Sequence, residues 1–163
     1  MSGAVVSLGK LAPEIRLPLL QGGEFLLKHA HSKTPAFLAF FKVSCPTCQY
    51  TLPFVQRLAL LHQGNVAVVG ISQDNAADTA QFNQHFGLTF PVALDHPRYV
   101  ASNAYVLTHV PSLFLVSREG SIEWISVGWS RAEFEDLHRR LSEPGIAIGS
   151  LWQGEPVADF KAG

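Results

Sequence analysis

Short apolar runs alternate with stretches of helical periodicity along the middle of the chain. The run PAFLAFF (35–41) is rich in aromatic residues and VAVVGIS (66–72) in β-branched ones, which is typical of strands buried on both faces. Between them Leu52, Val55 and Leu58 recur at the spacing of one helix face. Because a helical crossover joins parallel strands, the pattern predicts a strand, a helix and a second, parallel strand.

The flanking segments predict further elements. At the front, EIRLPLL and EFLL are joined by QGG (21–23), a pattern that favours a β-hairpin. A helix is predicted for AADTAQFNQHFG, with Asp74 or Asn75 as its cap and Gly87 at its end. FPVALD is predicted as a short strand and HPRYVASNAY as a short helix with Pro97 near its first turn.

The last third of the chain predicts a hairpin, a helix and a tail. SLFLVS and SIEWISV flank a turn that contains Gly120, and SRAEFEDLHRRL predicts a helix capped by Ser130. Because the crossover gives parallel neighbours and the hairpin antiparallel ones, we expect a mixed sheet with helices on both faces. Periodicity is lost after about residue 142, so we predict one α/β domain over 1–141 and a C-terminal tail over 142–163.

Composition excludes several classes of protein. With 47% hydrophobic and 15% charged residues, the 163-residue chain can bury a large core. Twelve Lys and Arg balance 13 Asp and Glu, which argues against a nucleic-acid partner. The apolar runs are much shorter than the roughly 18 residues that span a bilayer, so we expect no membrane segment. The start lacks the basic and apolar regions of a secretory signal, which favours a cytoplasmic location.

The two cysteines of the chain, Cys45 and Cys48, stand where a buried strand is predicted to end and a helix to begin. The unpaired N–H groups and partial positive charge of a helix N-terminus stabilise a thiolate, so Cys45 is predicted to be the nucleophile. Cys48 lies on the same helix face and can resolve a mixed disulfide formed by Cys45. The spacing therefore predicts a dithiol–disulfide switch.

Three other interpretations of the cysteine pair have less support. A zinc site needs two more ligands, and the sequence contains neither a second CxxC nor a His pair at zinc-finger spacing. A structural disulfide across a four-residue loop would constrain the unfolded chain only slightly. Two inert core thiols would not account for Pro46, which is suited to the first position of a helix directly after a strand. We therefore expect no metal and no cofactor.

The sequence resembles the thioredoxin superfamily, specifically the redoxin branch that contains thioredoxin-like thiol:disulfide oxidoreductases and, more distantly, peroxiredoxins. The resemblance runs from about Gly9 to Leu141. It rests on the order of the front segment GKLAPEIRLPLLQGGEFLL, FFKVSCPTC, VVGISQDNAADTAQFNQHFGLTFPVALD, HVPSLFLVSREG and the last amphipathic helix. It implies a thioredoxin-like fold, with a central mixed sheet flanked by helices on both faces and an N-terminal hairpin extension.

The resemblance also implies how the site works. The first cysteine, Cys45, attacks, the second, Cys48, resolves, and a cis-proline opposite the motif shapes a substrate groove. Pro111 matches that proline, and the backbone of Val110 is then exposed to an extended peptide. The expected partners are protein disulfides or dithiols and an unidentified electron donor, and the protein is expected to be a monomer.

Other residues near the motif are candidate modulators. Pro46 and Thr47 lie between the cysteines. Lys42 would stabilise the thiolate or attract an acidic partner, although a lysine at a strand end is more often simply solvated. His109 would carry protons, although a rim histidine without a chemical role is the more common case.

Two positions depart from relatives of this type. Ala39 stands where thioredoxin has a buried aspartate, and Thr51 stands where relatives devoted to cytochrome maturation often have a glutamate. The resemblance therefore does not say which group handles the proton of Cys48.

The sequence leaves two alternative functions open. One is a peroxiredoxin-like thiol peroxidase with an antioxidant role. Its P-x-x-x-T-x-x-C motif and later arginine would fall on Phe41, Cys45, Cys48 and Pro111, so only the last motif position is filled as a peroxidase requires. The other is a redox-inert binding module on the same fold. The predicted function is a thiol:disulfide oxidoreductase that acts on protein substrates.

Overall fold

Nine strands and six helices make up the described part of the chain. The computed structural model describes residues 6–142 and 149–163. The strands are Arg16–Pro18 (β1), Glu24–Leu26 (β2), Ala36–Phe41 (β3), Ala67–Ser72 (β4), Val92–Leu94 (β5), Ser112–Val116 (β6), Ile122–Val127 (β7), Trp129–Ser130 (β8) and Phe160–Lys161 (β9). The helices are Leu27–Ala30 (α1), Pro46–Leu61 (α2), Ala76–Phe86 (α3), Val100–Ala104 (α4), Arg131–Leu141 (α5) and Gly149–Trp152 (α6).

The central sheet is mixed, as the sequence predicts. Its strand order is β5-β4-β3-β6-β7. Strand β3 runs parallel to β4 and antiparallel to β6, and β6 forms the predicted hairpin with β7. This order places β3 in the middle, where all six of its residues are buried. The carboxyl end of β3 leads directly into the segment that carries the two cysteines.

Successive residues of β3 point to opposite faces of the sheet, and each face has its own core. On one face Phe37 and Phe41 pack in a cluster with side chains from α2, α3, α5 and α6. On the other face Leu38 and Phe40 pack with side chains from the N-terminal hairpin, α1 and α4. Helices therefore cover both faces of the sheet, as expected.

The predicted N-terminal hairpin is present. Strands β1 and β2 pair in antiparallel fashion, with Leu17 opposite Phe25 in the buried row. Gly22 and Gly23 lie in the turn with φ angles of 101° and 80°, which a glycine adopts without strain. The hairpin thus covers one face of the sheet with two apolar side chains.

The helix predicted for HPRYVASNAY starts later than its sequence suggests. Pro97 lies before the helix rather than in its first turn, and α4 begins at Val100. The reason is the buried Asp95 carboxylate, which accepts hydrogen bonds from the N–H groups of Ala101 and Ser102 at 2.8 and 2.7 Å. These bonds satisfy free N–H groups of the first turn and so fix where the helix begins.

The predicted C-terminal tail contacts the domain at several of its described residues; its residues 143–148 lie outside the described range. Leu151 and Trp152 belong to the larger core cluster. Strand β9 then pairs with β8 in antiparallel fashion. In the described residues, no helix is both long enough and apolar enough to cross a membrane.

Candidate active site

Cys45 lies at the point where the chain leaves the sheet and enters α2. It is the N-cap residue of that helix, and its sulfur accepts a hydrogen bond from the N–H of Cys48 at 3.1 Å. Pro46 occupies the first helical position, where its missing N–H costs no hydrogen bond. The thiol of Cys45 is half-buried. The helix N-terminus therefore directs an N–H donor at a sulfur that remains partly open to solvent.

Cys48 lies one turn further along and is completely buried. Burial raises the pKa of its thiol far above the ordinary value, because a thiolate would be poorly solvated there. A hydrogen bond between the Cys48 and Cys45 side chains adds to the effect. A hydrogen bond with the Lys42 backbone lowers the pKa of Cys48, and the charge of Asp74 raises it by a smaller amount. Both cysteines are free thiols. The two thiols therefore occupy very different environments within one helical turn.

The loop that contains Val110 and Pro111 lies directly against Cys45. The thiol of Cys45 donates a hydrogen bond to the Val110 carbonyl oxygen, at an Sγ–O distance of 3.5 Å. The peptide bond between Val110 and Pro111 is cis, and the Pro111 carbonyl accepts a hydrogen bond from the Gly128 N–H at 2.9 Å. Pairing of Phe40 with Ser112 brings this loop beside the cysteines. Two segments far apart in the sequence thus meet at one sulfur.

The short connection before Cys45 is held at both sides of Val43. Its N–H donates to Asp74 Oδ2 at 2.8 Å, and its carbonyl accepts from Gln49 Nε2 at 2.9 Å. The Lys42 carbonyl accepts from the Cys45 N–H at 3.2 Å, while the Lys42 side chain is exposed. The fixed backbone orients Cys45, whereas a role for the Lys42 ammonium stays a prediction.

The two remaining candidate modulators lie on opposite walls of the site. The Thr47 hydroxyl donates to the Ala162 carbonyl oxygen at 2.6 Å. His109 is exposed, and its Nδ1 lies 3.0 Å from the Thr108 hydroxyl oxygen. The His109 carbonyl also accepts a hydrogen bond from the Ser112 hydroxyl at 2.6 Å. The structure therefore gives Thr47 a partner that its sequence position did not suggest.

Sequence reasoning missed two parts of the site. Asp74 entered only as a possible helix cap, but Asn75 caps α3 and Asp74 binds the segment before Cys45. Its place after strand β4 was a usable signal, because the carboxyl ends of the parallel strands β3 and β4 meet at one edge. The second part is the end of the predicted tail, which reaches Thr47 and carries no sequence pattern that would announce it. Within the described ranges, no group of three or more His, Cys, Asp or Glu side chains is arranged to hold a metal ion.

Comparison with known proteins supports the same chemistry. Residues 8–125 match the AhpC/TSA family. The thiol-disulfide oxidoreductase ResA of Geobacillus kaustophilus is 30% identical over 139 residues, which cover 83% of this chain and 77% of that protein. ResA of Bacillus subtilis is 27% identical over 147 residues, which cover 88% of this chain and 80% of that protein.

Similar solved structures agree on the fold. A putative protein disulfide isomerase from Bacteroides thetaiotaomicron has a TM-score of 0.77 at 24% identity, covering 86% of this chain and 92% of its own. A putative thiol:disulfide interchange protein DsbE from Chlorobium tepidum has a TM-score of 0.76 at 23% identity, covering 90% of this chain and 99% of its own. The chain therefore belongs to the AhpC/TSA family, in which it is a thiol:disulfide oxidoreductase with a thioredoxin-like fold.

Proposed function

We propose that the protein exchanges disulfides with protein substrates, with Cys45 as the attacking thiol and Cys48 as the resolving one. The observation that carries this assignment is the contrast between the two sulfurs. Cys45 is half-buried at a helix N-terminus and accepts an N–H bond, whereas Cys48 is completely buried with a raised pKa. Only the first sulfur is both open to a partner and in contact with an N–H donor of the helix N-terminus.

In the first step the Cys45 thiolate attacks one sulfur of a substrate disulfide. A bond forms between Cys45 Sγ and that sulfur, the substrate S–S bond breaks, and the other substrate sulfur leaves as a thiolate. The N–H of Cys48, 3.1 Å from Cys45 Sγ, stabilises the attacking thiolate before the reaction. The product is a mixed disulfide between Cys45 and the substrate.

In the second step Cys48 attacks the sulfur of Cys45. The Cys45–Cys48 bond forms, the bond between Cys45 and the substrate sulfur breaks, and that substrate sulfur leaves and takes up the proton that Cys48 releases. The substrate has then gained two electrons and the protein dithiol has lost two. Burial is the main cause of the raised Cys48 pKa, and the smaller contributions of the Cys45 thiol are lost once that sulfur is in the mixed disulfide. A dithiol donor must reduce the pair again, and the reverse sequence would oxidise a substrate dithiol.

The backbone near Cys45 favours an extended peptide as the substrate. The Val110 carbonyl oxygen lies 3.5 Å from Cys45 Sγ, in the loop just before strand β6 begins. Pro111 has no N–H, so the backbone groups that this loop can offer a substrate are those of Val110. An extended segment can pair with the Val110 main chain through hydrogen bonds. This supports protein disulfides over small disulfides as substrates.

The thiol peroxidase alternative has less support from the site. In the alignment with peroxidases, Cys48 would be the peroxide-reducing residue, and that residue must be a thiolate that peroxide can reach. Cys48 is completely buried and its pKa is raised. Pro111 also occupies the position of the arginine that would stabilise the leaving oxygen.

Insulin-disulfide reduction and hydrogen-peroxide consumption, measured on the same reduced preparation, test the proposal. We expect insulin reduction to be the faster reaction by a wide margin, with a Cys45→Ser, Cys48→Ser double variant as the blank. Faster peroxide consumption, with a sulfenic acid on Cys48, would overturn the assignment. A cytoplasmic location and a monomeric state stay predictions, which cell fractionation and sedimentation would test.

A further inference from the structure

The last described part of the chain is anchored beside the active site. The Ala158 N–H donates to the Tyr50 hydroxyl at 2.9 Å, and the Ala158 carbonyl accepts from the Trp129 indole N–H at 2.7 Å. The Asp159 carbonyl accepts from the Arg131 N–H at 2.9 Å. These contacts attach the chain to α2, β8 and α5 before it reaches the space between Thr47 and Val110, which we call the groove.

Residues 161–163, which we call the groove segment, then run between the two walls of the site. The Lys161 ammonium lies over the Tyr50 ring, 4.9 Å from its centre. The Ala162 carbonyl accepts the Thr47 hydroxyl at 2.6 Å, which joins the segment to the turn between the cysteines. One residue later, Gly163 lies against the carbonyl of Val110. The groove segment therefore connects the first turn of α2, at Thr47, with the loop that contains Val110 and the cis-proline Pro111.

Gly163 is exposed, but in its backbone conformation a Cβ atom would collide with the Val110 carbonyl. A Cβ atom placed on Gly163 would lie 2.8 Å from the Val110 carbonyl oxygen and 3.3 Å from the His109 Cβ. A Cβ placed on Gly128 would lie 2.7 Å from the Lys161 carbonyl oxygen. The Val110 carbonyl is also the acceptor of the Cys45 thiol. The groove segment and Cys45 therefore approach the same backbone oxygen.

We propose that the groove segment determines which disulfides reach Cys45. It occupies the space in which an extended substrate would pair with the Val110 backbone, so a protein substrate reacts only after the segment has moved away. A small disulfide or thiol reagent needs less of this space and reacts directly. This proposal rests on the proposed function for its substrates, while the occupation of the groove is a matter of geometry alone.

Two maleimides of different size test the proposal without using disulfide exchange. In a Cys48→Ser background, Cys45 is the single thiol, and its rates with N-ethylmaleimide and with a polyethylene-glycol maleimide are compared. The chemistry is the same, so the ratio of the two rates reports access. The test variant is Gly163→Val, whose side chain cannot lie against the Val110 carbonyl. The matched control is Phe160→Ala, one residue before the groove segment, where the side chain is 65% exposed.

We expect Gly163→Val to raise the ratio of the large-reagent rate to the small-reagent rate about fivefold. This is the factor for losing about one net hydrogen bond, here the bond between the Thr47 hydroxyl and the Ala162 carbonyl. Phe160→Ala should keep the ratio of the parent protein. A chain that ends at Phe160 retains the Ala158 and Asp159 anchors and should behave like Gly163→Val. An unchanged ratio in both Gly163→Val and the shortened chain would overturn the proposal.

Insulin reduction by the same variants with Cys48 restored links access to substrate choice. We expect Gly163→Val to reduce insulin faster than the parent protein and to reduce hydroxyethyl disulfide at the parent rate. Slower insulin reduction would show that the groove segment helps to bind substrate rather than exclude it, and would overturn the proposal. If no variant reduces insulin but the maleimide ratio still rises, the proposed function fails while the occupation of the groove stands.

Discussion

The two ends of helix α2 each carry a pair of titratable side chains, and only one pair is placed for chemistry. At the N-terminus, Cys45 is half-buried and Cys48 completely buried. Just after the C-terminus, His62 faces His138 of α5 across 2.8 Å, from Nε2 to Nδ1, and both rings are completely buried. In both pairs the two side chains lie close together, but only the cysteine pair includes a side chain that solvent can reach.

This difference supports the proposal that the cysteine pair is reactive and the histidine pair structural. Cys45 meets solvent, a helix N-terminus and the cis-proline loop, so its sulfur can receive a substrate. The histidines meet only the core between α2 and α5, where burial and the facing His138 ring lower the pKa of His62 below its ordinary value. In the proposed function the first pair acts on other molecules, whereas the second pair joins two helices.

Loss of the attacking sulfur should have the largest effect. Cys45→Ser should lower the rate of insulin reduction at least about a thousandfold, because no other group can form the mixed disulfide. Ser44→Ala, which changes the exposed neighbouring residue, should keep the parent rate. Turbidity of reduced insulin measures both variants, and substantial activity in Cys45→Ser would contradict the assignment of the nucleophile.

Loss of a histidine at the other end of α2 should change stability and leave the chemistry intact. His62→Ala should lower the free energy of unfolding by about 2–4 kcal/mol, because it creates a cavity and leaves the Nδ1 of His138 without its partner. The exposed His85→Ala should cost less than about 0.5 kcal/mol. Urea unfolding gives both values. A loss of Cys45 reactivity in folded His62→Ala would show that the two ends are coupled, against this account.

The histidine pair should also make stability depend on pH. The pKa of His62 in the folded protein lies below the ordinary value of 6.5, so below that pH the unfolded chain binds a proton that the folded protein does not. Stability should therefore fall as the pH drops below 6.5, by at most about 1.4 kcal/mol per pH unit from this group. Unfolding in urea at a series of pH values measures the slope. His62→Gln should remove this contribution, and an identical slope in that variant would refute the explanation.

Removal of the Asp74 charge should have the smallest effect. Asp74→Asn keeps an oxygen for the Val43 N–H but removes a negative charge that raises the pKa of Cys48. The pKa of Cys48 should fall, and its alkylation in a Cys45→Ser background should become about two to five times faster at fixed pH. Iodoacetamide labelling followed by mass spectrometry measures this rate. A slower reaction would mean that Asp74 acts on Cys48 in the opposite sense.

The sequence predicts the cysteine end of α2 better than the histidine end. The apolar run 36–41 and the helical spacing after Cys48 are local patterns, so they place both cysteines correctly at a strand–helix junction. The contact between Val110 and Cys45 joins distant segments, and it was expected only because the sequence resembles a known family. His62 and His138 lie in separate helices, and no local pattern pairs them.

Two other features depend on contacts that no local pattern encodes. The start of α4 is fixed by Asp95, a buried carboxylate that lies before the helix and outside its periodicity. The segment 151–163 is rich in Gly and Pro and has no helical or strand period, yet Trp152 joins the core and Ala162 binds Thr47. Such segments are positioned by the surface that they pack on, which is formed only when the rest of the chain folds.

Trapping of the mixed disulfide tests the division of roles between the two cysteines most directly. Reduced Cys48→Ser and Cys45→Ser are each incubated with the same oxidised protein substrate, quenched with acid and analysed by intact-mass spectrometry. The account predicts a stable mixed disulfide at Cys45 in Cys48→Ser and almost none in Cys45→Ser, because Cys48 is completely buried and its pKa is raised. Equal or faster trapping in Cys45→Ser would contradict it.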